Sequence, residues 1–179
     1  MHFAICDFLL DMIQNSVEAG ASTIAVGVIE EGGVLDAYVE DDGKGMDELE
    51  LERAKDPFYT DGKKHPGRRM GLGIPFLLQS LEIAGGSYEL RSRKGEGTSL
   101  SFRFPADGID TPPTGDLAGL FLSAMCFDGD YELKVLRRAP ARDVGYEIRR
   151  SEILDAVGDL SDAGALLAAR EFLASQEAS

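Results

Sequence analysis

From Phe3 to Ala19 the apolar residues Phe3, Cys6, Leu9, Leu10, Ile13 and Val17 recur at helical spacing, and Gly20 supplies the stop. Two stretches rich in β-branched residues follow, Thr23 to Ile29 and Val34 to Val39, separated by Glu-Glu-Gly-Gly, a hairpin signal. After a polar stretch containing Gly and Pro, Ile74 to Ala84 reads as a second helix, with Pro75 in its first turn and Gly85-Gly86 at its end. Tyr88 to Ser92 and Ser99 to Phe104 then alternate as strands around Lys94-Gly95-Glu96-Gly97. The order is helix, two strands, loop, helix, two strands. It predicts an α/β fold: a two-layer sandwich of a mostly antiparallel sheet with helices on one face.

Pro105, Gly108, Pro112, Pro113 and Gly115 cluster between two patterned regions. The expected division is a domain over 1–105, a linker over 106–115 and a small α+β part over 116–179. In that last part Leu117 to Phe127, Glu152 to Val157 and Asp162 to Ala174 read as helices, and Tyr131 to Leu136 and Tyr146 to Arg149 as a strand pair. It holds no motif with legible chemistry, so its expected role is partner docking or dimerisation.

Composition narrows the partners. The chain has 179 residues, 44% of them hydrophobic and 28% charged, enough to bury a core. Asp plus Glu total 32 against 18 Lys plus Arg, a formal charge of −14. Such a chain repels phosphate backbones, so nucleic-acid binding is not expected. A nucleotide is still possible where positive groups are concentrated locally or a metal ion intervenes. Cys6 and Cys126 have no metal-ligand spacing, and His2 and His65 are the sole histidines, which argues against a zinc site. Asp7 and Asp11 interrupt the first apolar stretch, no basic n-region precedes it, and no uncharged run is long enough to span a bilayer. A cytoplasmic protein is expected.

Three features carry candidate chemistry. On the first helix Asp7, Asp11, Asn15 and Glu18 share the face opposite the apolar one, which by itself describes a solvated surface. The second strand runs into Asp41-Asp42-Gly43-Lys44-Gly45-Met46; a carboxylate there can accept from an exocyclic amine while glycines leave room for a ring. Gly71-Leu72-Gly73 feeds a helix N-terminus, whose free amides favour an anion, and Lys63, Lys64, Arg68 and Arg69 lie upstream. No Walker loop exists, and Phe76 stands where a dinucleotide fingerprint needs its third glycine.

In this order the pieces resemble the ATP-binding domain shared by gyrase B, the large heat-shock chaperones, sensor histidine kinases and MutL-type repair proteins, the GHKL or Bergerat-fold superfamily. Asp11 to Ala21 resembles the N box, in a form closer to MutL than to the kinases, and Asp41 to Met46 resembles the G1 box. Pro57-Phe58-Tyr59-Thr60 resembles the kinase F box, Gly71 to Gly86 the G2 region, and Gly95 to Pro105 the last kinase strand pair. The resemblance covers residues 3–105.

It implies ATP with Mg²⁺. Asp41 would accept from the adenine amine, where guanine would set an acceptor against it. Gly43 and Gly45 would let the backbone close on the base, Ala19 and Met46 would form apolar walls, and Thr98 would bond near the base. Asn15 would ligate Mg²⁺, and Gly71, Leu72 and Gly73 would give amides to the phosphates. Residues 47–70 would form a lid from which Lys63, Lys64 or Arg69 closes on the terminal phosphates. Asp11, four residues before Asn15, stands where the hydrolysing members place a water-activating acid, though one methylene shorter than their Glu. His2 precedes the first helix and no phosphoacceptor hairpin is evident, so self-phosphorylation is not expected; the kinase-like stretch from Gly71 to Pro105 makes the expected function that of a stand-alone protein that transfers a phosphoryl group to a partner protein. An ATP-hydrolysing switch and a non-catalytic nucleotide sensor stay open beside it, as does a homodimer.

Overall fold

A computed structural model describes residues 4–56 and 73–178. In chain order its elements are α1 (Ile5–Glu18), β1 (Thr23–Glu31), β2 (Val34–Asp41), α2 (Glu48–Lys55), α3 (Gly73–Ala84), β3 (Ser87–Arg93) and β4 (Gly97–Pro105). There follow α4 (Leu117–Met125), β5 (Glu132–Ala139), β6 (Val144–Arg149), α5 (Arg150–Val157) and α6 (Ala163–Glu177). The strands form one mixed sheet in the order β3-β4-β2-β1-β5-β6. Every pairing is antiparallel except β1 with β5. The fold is the α/β class that the pattern predicts.

Alternation along the strands fixes which face is covered. Ile24, Val26 and Val28 of β1, Leu35, Ala37 and Val39 of β2, and Leu100, Phe102 and Phe104 of β4 are buried under the helices. Their neighbours, such as Asp36, Arg103 and Lys134, lie on the opposite, more accessible face. The β1–β2 hairpin closes through Gly32-Gly33, both at positive φ (63° and 78°), the two-residue turn whose twist matches that of its strands. On α1 the buried set is Ile5, Cys6, Phe8, Leu9, Met12, Ile13 and Ser16. The stripe is therefore shifted from the expected one: Leu10 and Val17 are only partly buried, and a serine sits on the buried face.

The sheet and the buried core run across the expected boundary at 106–115. β5 pairs with β1 in the middle of the sheet, and Leu117, Phe121, Met125, Leu133 and Leu173 belong to the same core as Leu9, Val26 and Phe104. Residues 116–178 thus widen the sheet and helix layer of the first part. The 106–115 stretch is not a free linker. Its Pro113 and Thr114 carbonyls accept from the amides of Ile5 and Cys6 at 2.8 and 2.9 Å, satisfying donors that the first turn of α1 leaves unpaired.

One charge cluster ties the C-terminal helix to this sheet. Arg137, fully buried on β5, donates to Glu30 at 2.5 Å, to Glu177 at 3.2 Å and to the Arg138 carbonyl at 2.9 Å. Glu177 also accepts from the Tyr146 hydroxyl at 2.6 Å. Burial and this carboxylate push the Tyr146 hydroxyl well above its ordinary pKa. Among the described residues no helix is long and apolar enough to cross a membrane.

Candidate functional site

The end of β2 carries the site. In the ladder Asp41 lies opposite Thr98 of β4, and Thr98 opposite Ser92 of β3, so the three side chains form a row on the helix-covered face. Asp41 is held from two sides. Its Oδ2 accepts from Ser16 Oγ at 2.7 Å, and its Oδ1 from the Gly43 amide at 2.8 Å. An ionised carboxylate has about four acceptor positions, so two bonds orient it and leave capacity for a ligand. Asp42 turns away. Its Oδ1 accepts from the amides of Ser22 and Thr23 at 2.7 and 2.9 Å, and these bonds, that of Thr23 foremost, hold its carboxyl below the usual range. Of the two adjacent aspartates, one faces the site and the other staples the start of β1.

The loop after β2 is shaped by close backbone approach. Gly45 has φ 59°, and a Cβ there would lie 1.9 Å from the Arg93 carbonyl oxygen. A Cβ on Gly97 would lie 1.9 Å from the Asp41 carbonyl oxygen. On the side that a Cβ would take, Gly45 is thus closed by the β3–β4 turn. Gly43 packs against Ala19, whose carbonyl accepts from the Lys44 amide at 3.1 Å. Met46 is half-buried, and its amide donates to Ser92 Oγ at 2.8 Å. These contacts join the end of α1, the loop and the hairpin into one wall.

Across from that wall α1 meets the start of α3. Of the polar stripe on α1, Asp7 caps its own helix by accepting from the Ala4 amide at 2.8 Å, and Glu18 pairs with Gln14 at 3.0 Å. Asp11 and Asn15 face inward. Asp11 Oδ2 is a buried oxygen with no hydrogen-bond partner among the described residues. A Cβ on Gly73 would lie 1.8 Å from it, so the glycine at the first position of α3 admits this carboxylate. Burial, then the nearby Glu18 charge, push the Asp11 carboxyl up; a hydrogen bond with the Asn15 side chain opposes them. A buried, unsatisfied carboxylate oxygen is costly unless something completes it. Beside an asparagine amide it suits a hard cation that keeps waters and takes its other ligands from phosphates. No group of three or more His, Cys, Asp or Glu able to hold a metal by itself occurs among the described residues.

The structure therefore brings Asp11, Asn15, Ala19, Asp41, Gly43, Gly45, Met46, Gly73 and Thr98 to one end of the sheet. Lys63, Lys64, Arg69, Gly71, Leu72 and the 57–60 segment lie outside the described residues. Residue reading missed Ser16 and Ser92. A serine on the buried face of α1 was the available signal for the first; nothing local marks the second. It also missed α2, assigned to the lid. That helix buries no residue and so has no apolar stripe, yet Asp47 and Glu50 form a reciprocal capping box at its start, with bonds of 2.9 and 3.0 Å.

Comparison with known proteins gives the following. The sequence profile of the family described as histidine kinase-, DNA gyrase B-, and HSP90-like ATPase matches residues 4–108. The chain is 30% identical over 105 residues to histidine protein kinase DivJ of Caulobacter vibrioides, covering 57% of this chain and 18% of that protein. It is 28% identical over 101 residues to sensor histidine kinase WalK of Bacillus subtilis, covering 55% of this chain and 16% of that one. The match therefore spans less than a fifth of the length of either relative. Among solved structures, the catalytic domain of histidine kinase ThkA is similar with a TM-score of 0.43 at 21% identity, over 56% of this chain and 64% of that one.

Proposed function

The chain belongs to the histidine kinase-, DNA gyrase B-, and HSP90-like ATPase family, and from that premise we propose that it binds ATP with Mg²⁺ and passes the terminal phosphoryl group to a partner protein. The observation that carries the nucleotide reading is Asp41, fixed by Ser16 and Gly43 at 2.7 and 2.8 Å with acceptor capacity to spare. That carboxylate suits an exocyclic amine of adenine and opposes the carbonyl of guanine. Ala19 and Met46 border the base. Asn15 would hold Mg²⁺ through its amide oxygen, with Asp11 beside it ordering water. The ion, when bound, supplies charge neutralisation to the phosphates. The similarity to kinases supports transfer over other fates of the phosphoryl group. A cytoplasmic setting is part of the proposal, supported by two thiols, Cys6 and Cys126, that remain unpaired.

One observation favours a second reading, hydrolysis. Asp11 is largely buried, its Oδ2 has no hydrogen-bond partner among the described residues, and burial raises its pKa, which favours a carboxylate that takes a proton from water. Under it ATP is cleaved to ADP and phosphate, and Asp11→Asn abolishes phosphate release while ATP still binds. Unchanged release in that variant removes Asp11 from the chemistry.

Calorimetric titration with ATP, ADP and GTP, with and without Mg²⁺, tests the main reading. Wild type should bind ATP in preference to GTP. Asp41→Asn should weaken ATP binding by about 1–3 kcal/mol, the usual worth of a buried bond to a charged acceptor. Absence of ATP binding by the wild-type protein refutes the proposal. Labelled ATP with candidate partners distinguishes transfer from hydrolysis.

A further inference from the structure

Ser92 lies at the far end of the row that begins at Asp41, and its hydroxyl has three polar neighbours. The Met46 amide donates to Oγ at 2.8 Å, the Gly97 carbonyl oxygen is 3.0 Å away, and Thr98 Oγ1 is 2.8 Å away. A serine hydroxyl has one proton and two lone pairs. The Met46 amide can only donate and the Gly97 carbonyl can only accept. All three contacts hold together in one arrangement alone: Ser92 gives its proton to Gly97, and Thr98 gives its proton to Ser92. The Thr98 oxygen is then left with lone pairs only.

We infer that Ser92 is a positioning residue that sets the hydrogen-bond polarity of the base-binding floor. It draws the Thr98 proton inward, so that Thr98, like its cross-strand neighbour Asp41, offers the ligand an acceptor. An acceptor-only floor suits a purine bearing an exocyclic amine, directly or through a water that donates to it. It rejects a purine whose corresponding group is a carbonyl oxygen. The inference rests on the adenine reading above and adds to it a source of base selectivity that touches no ligand. Ser92 also tethers the loop at Met46, so removing it loosens the pocket; the test must separate that effect from a change of polarity.

Affinities for ATP and inosine triphosphate, measured by calorimetry on the full chain, make the separation, because the second nucleotide carries a carbonyl where the first carries an amine. In Ser92→Ala the Thr98 hydroxyl is free to turn its proton toward the ligand. The ATP-to-inosine-triphosphate affinity ratio should fall about fivefold to tenfold, the equivalent of about one neutral hydrogen bond. Ser92→Thr, which keeps the hydroxyl, should restore the ratio. In a Thr98→Val background, Ser92→Ala should leave the ratio unchanged. Ser92→Cys retains the side-chain volume with a weak donor, and should lower the ratio if the alanine variant fails to fold. A parallel loss of affinity for both nucleotides, or no loss for either, overturns the inference while leaving the ATP reading intact. Wild-type protein that binds neither nucleotide removes the ATP reading itself.

Discussion

Arg137→Met tests the claim that the C-terminal part and the nucleotide-site part are one cooperative body. The arginine is 0% exposed, whereas its partners Glu30 and Glu177 are 29% and 15% exposed. Removing one member of a buried ion pair costs about 3–5 kcal/mol, because the other charge stays desolvated. Here the cost is reduced from both ends. Glu30 can turn to water, and Glu177 keeps the Tyr146 hydroxyl and the Arg142 guanidinium 4.0 Å away. A loss of about 2–4 kcal/mol is expected. For a chain of this size each kcal/mol moves Tm by about 2–4 °C, so the melting point should fall by about 5–15 °C. Arg137→Met with Glu177→Gln should recover part of the loss, since the stranded charge is gone. Calorimetry together with denaturant unfolding followed by two optical probes supplies the readout. A single transition, shifted as a whole and raised again by ATP with Mg²⁺, is expected. A change under 0.5 kcal/mol refutes the energetic argument. Two separate transitions, with the nucleotide-sensitive one unmoved, refute the single-core argument.

Three further outcomes follow from particular contacts. Gly45→Ala places a methyl group 1.9 Å from the Arg93 carbonyl oxygen at a backbone φ of 59°; it should lower stability by about 2 kcal/mol or more and abolish nucleotide binding, by melting and titration respectively. Ser16→Ala removes the donor to Asp41 Oδ2 and should weaken ATP binding about fivefold to tenfold, with titration as the check and wild-type affinity as the contrary result. Asp42 has a lowered folded pKa, so its contribution to stability is present above the unfolded carboxylate pKa and lost as pH falls through the folded value. Asp42→Asn should therefore flatten the acid side of the stability profile, while an acid limb identical to wild type would show that the Ser22 and Thr23 bonds carry no linkage.

Local signals sufficed for much of the molecule. The helical spacing of α1, the alternation in β1, β2 and β4, and the glycine stops after α1 and α3 depend on side-chain periodicity and backbone freedom. These act within a few residues and are legible in one sequence. So was most of the candidate site, whose nucleotide role is still a proposal, because Asp11 and Asn15 sit one turn apart on a helix and Asp41 to Met46 form one continuous stretch. What remained hidden depends on partners far along the chain. β5 was expected to end at Leu136; it runs on to Ala139 and carries Arg137 into the interior. An arginine is stable there only because Glu30 and Glu177 reach it from 107 and 40 residues away. The parallel pairing of β1 with β5, which carries the sheet across the expected boundary, is likewise a long-range contact that neither strand's own pattern encodes. The inferred direction of the Thr98 proton is of the same kind, since it follows from the Met46 amide, the Gly97 carbonyl and the Thr98 hydroxyl meeting at Ser92 Oγ. The sequence by itself determined which groups the protein has and which secondary elements carry them. Only tertiary packing decided which of those groups lost water and had to find a partner, because the cost of desolvation arises from the enclosed site and not from the residue.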